Sequence, residues 1–189
     1  MKRIFTTILL SVTLLSAEAQ IEKLAGPRVG VTMITPGSLA SIIRGDVSFF
    51  SDEVRQEWTG STGKYGAAIS QYGWQWESRF ADGGGDVVGI VEWIALVSGM
   101  EKGRFAPSLT SVVGARTSNG FEVGVGPSLS LGGVGMVFAI GKNFQSGSLN
   151  MPVNLVFMPG KDVDSDKFGG YTYNSGARIS LMVGFNLAK

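Results

Sequence analysis

The sequence predicts an all-β fold, a closed antiparallel up-and-down barrel of about eight strands. Apolar and polar residues alternate with a period of two along most of the chain after residue 64. Turn signals rich in Gly and Asn separate the alternating runs, and most links are too short to join parallel strands. Eight strands are enough to close a small barrel, which removes the exposed edges of an open sheet.

Residues 1–19 are predicted to be a secretory signal peptide. A basic start precedes an apolar run at residues 4–15, and Ala17 and Ala19 occupy the positions that a signal peptidase reads. The apolar run is shorter than the roughly 18–20 residues that a spanning helix needs. We therefore expect a single β-barrel domain at residues 20–189.

Eight runs of the chain carry the alternation. The clearest begins at Phe121, where every second residue up to Leu131 is apolar and the residues between them are Glu, Gly or Ser. Two long links, at residues 36–64 and 159–170, join strands 1–2 and 7–8, so we expect both at the same end of the barrel. The predicted strands lie near residues 28–35, 66–80, 87–100, 104–117, 121–131, 134–144, 148–158 and 171–187.

The segment near residues 38–59 is predicted to be partly helical or irregular. Ser51, Asp52 and Glu53 can cap a helical turn that runs to Trp58. Two interpretations of this segment stay open, a lid or plug at the barrel mouth and an ordered surface loop.

The apolar face of the strands is predicted to point outward and the polar face inward, which is the inverse of a soluble barrel. The apolar faces carry large aromatic residues, which are expected to form girdles at membrane interfaces. The polar face carries small residues and charges whose cations are all Arg, a residue that pairs with several carboxylates at once. The predicted aromatic girdle consists of Tyr72, Trp74, Trp76, Trp93, Tyr171 and Tyr173. The predicted lumenal charge network consists of Glu77, Arg79, Glu92, Arg104, Arg116, Glu122 and Arg178.

Over residues 27–189 the chain resembles the small eight-stranded proteins of the outer-membrane β-barrel superfamily. The resemblance rests on the signal peptide, the period-two repeats and the final amphipathic run from Gly176 to Leu187. It implies a location in the outer membrane of a Gram-negative cell, with membrane lipids and the barrel-insertion machinery as partners. No wide, porin-like channel is expected, because eight strands leave an interior just wide enough for side chains.

The composition excludes several kinds of chemistry. The chain contains no histidine and no cysteine, so it lacks Ser–His and Cys–His catalytic centres, His-ligated metals and thiolate metal sites. We expect no catalytic residues, no metal and no cofactor. The formal net charge is +1 and no basic stripe is present, so nucleic acid is not an expected partner.

Three hypotheses about function follow from these observations. The leading one is an integral outer-membrane β-barrel that is not an enzyme and has a structural or interaction role. The alternative is a soluble or periplasmic barrel that binds a small apolar ligand, with Ile90, Ile94 and Leu96 lining its cavity. The third is a lipid-modifying outer-membrane enzyme that uses a buried Glu as general base.

Overall fold

The computed structural model describes residues 23–46, 64–82, 85–165 and 171–188. The predicted signal peptide at residues 1–19 and the predicted helical turn from Ser51 to Trp58 lie outside these residues. Within the described ranges, no helix has the length and apolar character needed to cross a membrane.

Eight antiparallel strands close a barrel, as the alternation predicts. The eighth barrel strand is interrupted at Phe185, and its two parts pair with the first strand on one side and the seventh on the other. The first strand also pairs with the second, which completes the closure. In chain order the elements are β1 (Lys23–Ile34), α1 (Ser38–Arg44), β2 (Ala67–Asp82), β3 (Val87–Ser98), a 3-10 turn (Met100–Lys102), β4 (Ala106–Thr117), β5 (Phe121–Ser130), β6 (Gly133–Ser146), β7 (Leu149–Met158), β8 (Asp162–Ser165), β9 (Tyr171–Asn174), β10 (Arg178–Gly184) and β11 (Asn186–Ala188).

The predicted last strand, residues 171–187, is in fact divided between a separate strand, β9, and the eighth barrel strand, which consists of β10 and β11. Its first part, β9, pairs with β8 in a hairpin outside the barrel sheet, and the barrel strand begins only at Arg178. The break falls at Gly176, whose φ of 79° lies in the left-handed region that glycine tolerates best. The Asn174 side chain accepts a hydrogen bond from the Gly176 amide at 2.8 Å, which stabilises this turn.

The two ends of the barrel differ. At one end, here called the termini end, lie the start of β1, the end of β11 and three short links between strands. At the other, the helix end, lie both long links, which carry α1 and the β8–β9 hairpin, as the parity of the strands predicts. Leu39 and Ile43 of α1 are buried against Ile34 and Ile69 of the barrel wall. The helix therefore covers the lumen at this end, and the prediction of a partly helical segment is confirmed for residues 38–44.

Glycine residues in the lumen leave room for larger side chains on the neighbouring strands. A Cβ atom added to Gly184 would lie 1.8 Å from Arg28 Nη1. A Cβ atom added to Gly141 would lie 1.9 Å from Asn154 Oδ1. Arg28 and Asn154 therefore occupy space that glycines on the neighbouring strands leave free.

We expect Gly184→Ala to lower the free energy of unfolding by about 1–3 kcal/mol, the usual cost of overpacking a filled interior. The added methyl group would overlap the guanidinium group of Arg28. Thermal unfolding followed by far-UV circular dichroism measures the change. Gly85→Ala is the control, because its methyl group would meet no atom within 4 Å. Equal unfolding midpoints of the two variants would contradict the requirement for an empty position beside Arg28.

Candidate functional site

A buried ion-pair cluster occupies the lumen on the side of the termini end. Arg116 of β4 donates from Nη1 and Nη2 to the two carboxylate oxygens of Glu77 on β2, at 2.6 and 2.7 Å. Its Nε donates to Glu122 Oε1 on β5 at 2.5 Å. The three side chains are at most 5% exposed. Such bidentate, charge-assisted hydrogen bonds hold the guanidinium plane in one orientation.

A second polar chain starts from Arg28 of β1. Its Nε donates to Gln75 Oε1 on β2, and its Nη1 donates to the Pro152 carbonyl at 3.3 Å. Gln75 Nε2 in turn donates to Glu92 Oε1 on β3 at 2.5 Å. Gln75 thus connects a buried cation to a buried carboxylate, and all three side chains are at most 4% exposed.

The sequence-based prediction named neither Arg28 nor Gln75 as members of the network. Gln75 is two residues from Glu77 and therefore lies on the same face of the strand, so the alternation could have predicted that it points into the lumen. Arg28 stood at the first position of the predicted first strand, whereas β1 begins at Lys23 and places Arg28 well inside the barrel.

The structure brings four of the seven predicted network residues together, namely Glu77, Glu92, Arg116 and Glu122. Arg79 borders an open polar space at the termini end that Arg116 also lines. Arg178 lies near the helix end, where its Nη1 donates to Ser130 Oγ at 3.0 Å.

The prediction is wrong for Arg104, which is exposed and lies outside the lumen. The predicted strand starts at residue 104, but the 3-10 turn Met100–Lys102 is followed by Gly103 with a φ of 65°, and β4 starts at Ala106. Arg104 therefore lies in the link between β3 and β4, beside Gly45 at the end of α1.

The four predicted girdle residues whose side chains are described all point outward, but they do not form a ring. They are 43–49% exposed and lie on the adjacent strands β2 and β3, where Trp76 is opposite Trp93. They therefore form a cluster on one side of the barrel. The four are Tyr72, Trp74, Trp76 and Trp93, while the side chains of Tyr171 and Tyr173 lie outside the described part of the structure.

Other exposed aromatic residues lie at both ends of the barrel. Four phenylalanines lie near the termini end on β2, β5, β6 and the eighth barrel strand, and two aromatics stand just before β2 and β4 at the helix end. These aromatic residues stand close to turn signals in the sequence, and that proximity could have predicted their positions at the ends of the strands. These residues are Phe80, Phe121, Phe144 and Phe185 at the termini end, and Tyr65 and Phe105 at the helix end.

A cavity of about 110 Å³ lies inside the barrel, between the buried polar side chains of Arg28, Gln75 and Glu92 and the helix α1. One wall is apolar and is formed by the packed side chains of Val112, Val137 and Met158. Ile94 and Leu96, which the sequence suggested as cavity residues, line it as well. Ile90 is buried but faces a separate small space beside Glu92 and Glu122.

We expect Arg116→Met to destabilise the fold by about 3–5 kcal/mol, because it leaves two buried carboxylates without their cation. Adding Glu77→Gln and Glu122→Gln to this variant removes the unpaired charges, so it should recover part of the loss. Chemical unfolding midpoints and slopes measure both changes. Lys142→Met removes the same charge from an exposed site and should change stability by no more than about 0.5 kcal/mol. A similar effect of the two single substitutions would refute the structural role of the cluster.

Comparisons with known proteins identify no family for this chain. No family model matches it, and a search of curated proteins returned no match. The resemblance to small outer-membrane barrels therefore rests on architecture and on the distribution of side chains across the barrel wall.

Proposed function

We propose that the protein is an integral outer-membrane β-barrel that has a structural or interaction role, is not an enzyme and contains no wide pore. The observation that carries this proposal is the inverted distribution of polarity across the barrel wall. On β5, Val123, Val125 and Leu129 point outward and are 42–56% exposed. On the inward face of the same strand, Glu122 and Ser128 are 5% and 4% exposed. A soluble barrel has the opposite arrangement.

The apolar exterior extends around the barrel. Large apolar side chains are exposed on all eight barrel strands. Soluble monomers rarely expose a contiguous apolar patch larger than a few hundred Å². A surrounding layer of lipid chains removes this surface from water, so membrane lipids are the partner proposed for it.

The dimensions of the strands fit a bilayer. β5 and β7 have ten residues each, and transmembrane strands have about 9–11. Ten residues at about 3.3 Å each give a length of about 33 Å, which a tilt of about 40° reduces to a height of about 25 Å. This matches the height of about 25 Å of the apolar band on outer-membrane barrels, which aromatic residues flank on both sides.

The polar interior supports a non-enzymatic role and a closed lumen. Glu77 and Glu122 both accept hydrogen bonds from Arg116, and Glu92 accepts one from Gln75, so these carboxylates already serve as structural acceptors. The same side chains project into the lumen and are buried there, which favours a narrow interior without a wide pore. The signal peptide and the closed barrel together favour export and delivery to the barrel-insertion machinery.

Cell fractionation tests this proposal directly. We expect the protein in the outer-membrane fraction, released only by detergent, and we expect unheated samples to migrate differently from boiled ones on gels. This difference arises because a barrel whose strands all pair with neighbours resists detergent unfolding until it is heated. Recovery from the soluble periplasmic fraction without detergent would contradict the proposal and favour the alternative of a periplasmic ligand-binding barrel.

A charged residue introduced on the outer face of the barrel tests whether that face contacts lipid or water. We expect Val125→Arg, in the middle of β5, to cost about 2–4 kcal/mol in lipid vesicles, because it places a guanidinium group in the hydrocarbon layer. An exposed position of a water-soluble barrel would tolerate the same change within about 0.5 kcal/mol. The control is Ser118→Arg, in the exposed turn between β4 and β5. Equal unfolding free energies of the two variants would indicate that the exterior of β5 faces water.

A further inference from the structure

Arg178 of β10 faces the cavity beneath α1 and has no acidic partner among the residues that the structure describes. No carboxylate among the described residues lies within ion-pair distance of it, whereas Arg116 has two such partners. Its Nη1 donates to Ser130 Oγ at 3.0 Å, but its buried Nε finds no acceptor in the part of the chain that the structure describes. A partly buried guanidinium group without a counter-charge is unfavourable, so this position favours an anion from outside the chain.

The surroundings of Arg178 are apolar. In the register of β7 and β10 it is opposite Met158, which packs against Val112 and Val137. The helix lies close above it, since a methyl group on Gly132 would lie 3.3 Å from Arg178 Nη2 and 3.8 Å from Leu39 Cδ2. An anion bound to Arg178 would therefore extend its remaining atoms along aliphatic side chains.

The hydroxyl groups of the cavity nearest Arg178 are already hydrogen-bonded, whereas Arg28 Nη2 and Asn154 Oδ1, which line the cavity farther along the strands, have no partner among the described residues. Thr32 Oγ1 lies 2.6 Å from both Gln71 Oε1 and Ser180 Oγ, and Thr110 Oγ1 lies 2.7 Å from Ser128 Oγ. An occupant beside Arg178 therefore needs only one polar end.

We propose that this cavity binds a short-chain aliphatic monocarboxylate, with its carboxylate on Arg178 and its alkyl chain against Val137 and Met158. The volume of about 110 Å³ sets the length of the chain. An engineered apolar cavity of about 150 Å³ binds benzene, so a cavity of about 110 Å³ accommodates a chain of a few carbon atoms. Butanoate and pentanoate fit this limit. The site lies within the lumen, so the inference goes beyond the proposed membrane role and does not depend on it.

Calorimetric titration of the full-length folded protein with sodium pentanoate tests the proposal. We expect saturable 1:1 binding that Arg178→Gln weakens by about 10- to 100-fold, the effect of losing a charge-assisted hydrogen bond. Lys142→Gln removes the same charge from an exposed site on β6 and should leave the affinity unchanged. Neutral 1-pentanol and the short anion acetate should each bind at least about tenfold more weakly, because one lacks the charge and the other the chain.

Ala139→Leu supplies a second, independent test. Ala139 lines the cavity, so the larger side chain fills it while Arg178 stays in place, and we expect pentanoate binding to be lost. Folding of each variant is checked by circular dichroism and by heat-dependent migration on gels. The proposal is overturned if pentanoate does not bind, if pentanol binds equally well, or if Arg178→Gln or Ala139→Leu folds and retains full affinity. Each of these results would leave the fractionation result unaffected, so the two proposals fail separately.

Discussion

The structure of the lumen depends on how two neighbouring carboxylates are each paired with a different hydrogen-bond donor. Glu77 and Glu92 are direct neighbours in the register of β2 and β3, and both are buried. Like charges at such positions destabilise a sheet unless each is paired. Arg116 on β4 forms an ion pair with Glu77. Gln75 on β2 donates a hydrogen bond to Glu92 and accepts one from Arg28, so it connects this carboxylate to a cation. The lumenal polar groups therefore form one arrangement that ties together strands β1 to β5.

The narrow interior decides which side chains can take part in that arrangement. The chain contains 28 glycines, and those that point inward provide the width that Arg28 and Asn154 need. Between the charged residues and the helix end, the lumen retains an empty volume that apolar and hydroxylated side chains line. The apolar side of α1 covers that volume.

The alternation was enough to predict the barrel and the inward positions of Glu77, Glu92, Arg116 and Glu122, because strand parity fixes the face of every residue. It could not predict which charges meet. Arg116 contacts Glu77 across an intervening strand, and that contact depends on the stagger of the whole barrel. Arg104 was misplaced because a 3-10 turn and a left-handed glycine delay the start of β4. Parity likewise predicted that the tryptophans face outward, but it carries no information on how they are distributed around the barrel.

The arginine near the termini end of the lumen and the arginine near the helix end differ in their ion-pair partners. Toward the termini end, Arg116 has two acidic partners within hydrogen-bond distance, so its charge stabilises the fold. Toward the helix end, the Ser130 hydroxyl group is the one hydrogen-bond acceptor that the described residues offer the Arg178 guanidinium group, so the partial burial of this group is unfavourable. A bound carboxylate would offset that cost in the folded state alone. Binding and stability are therefore coupled at Arg178, and a ligand there would stabilise the barrel in proportion to its occupancy.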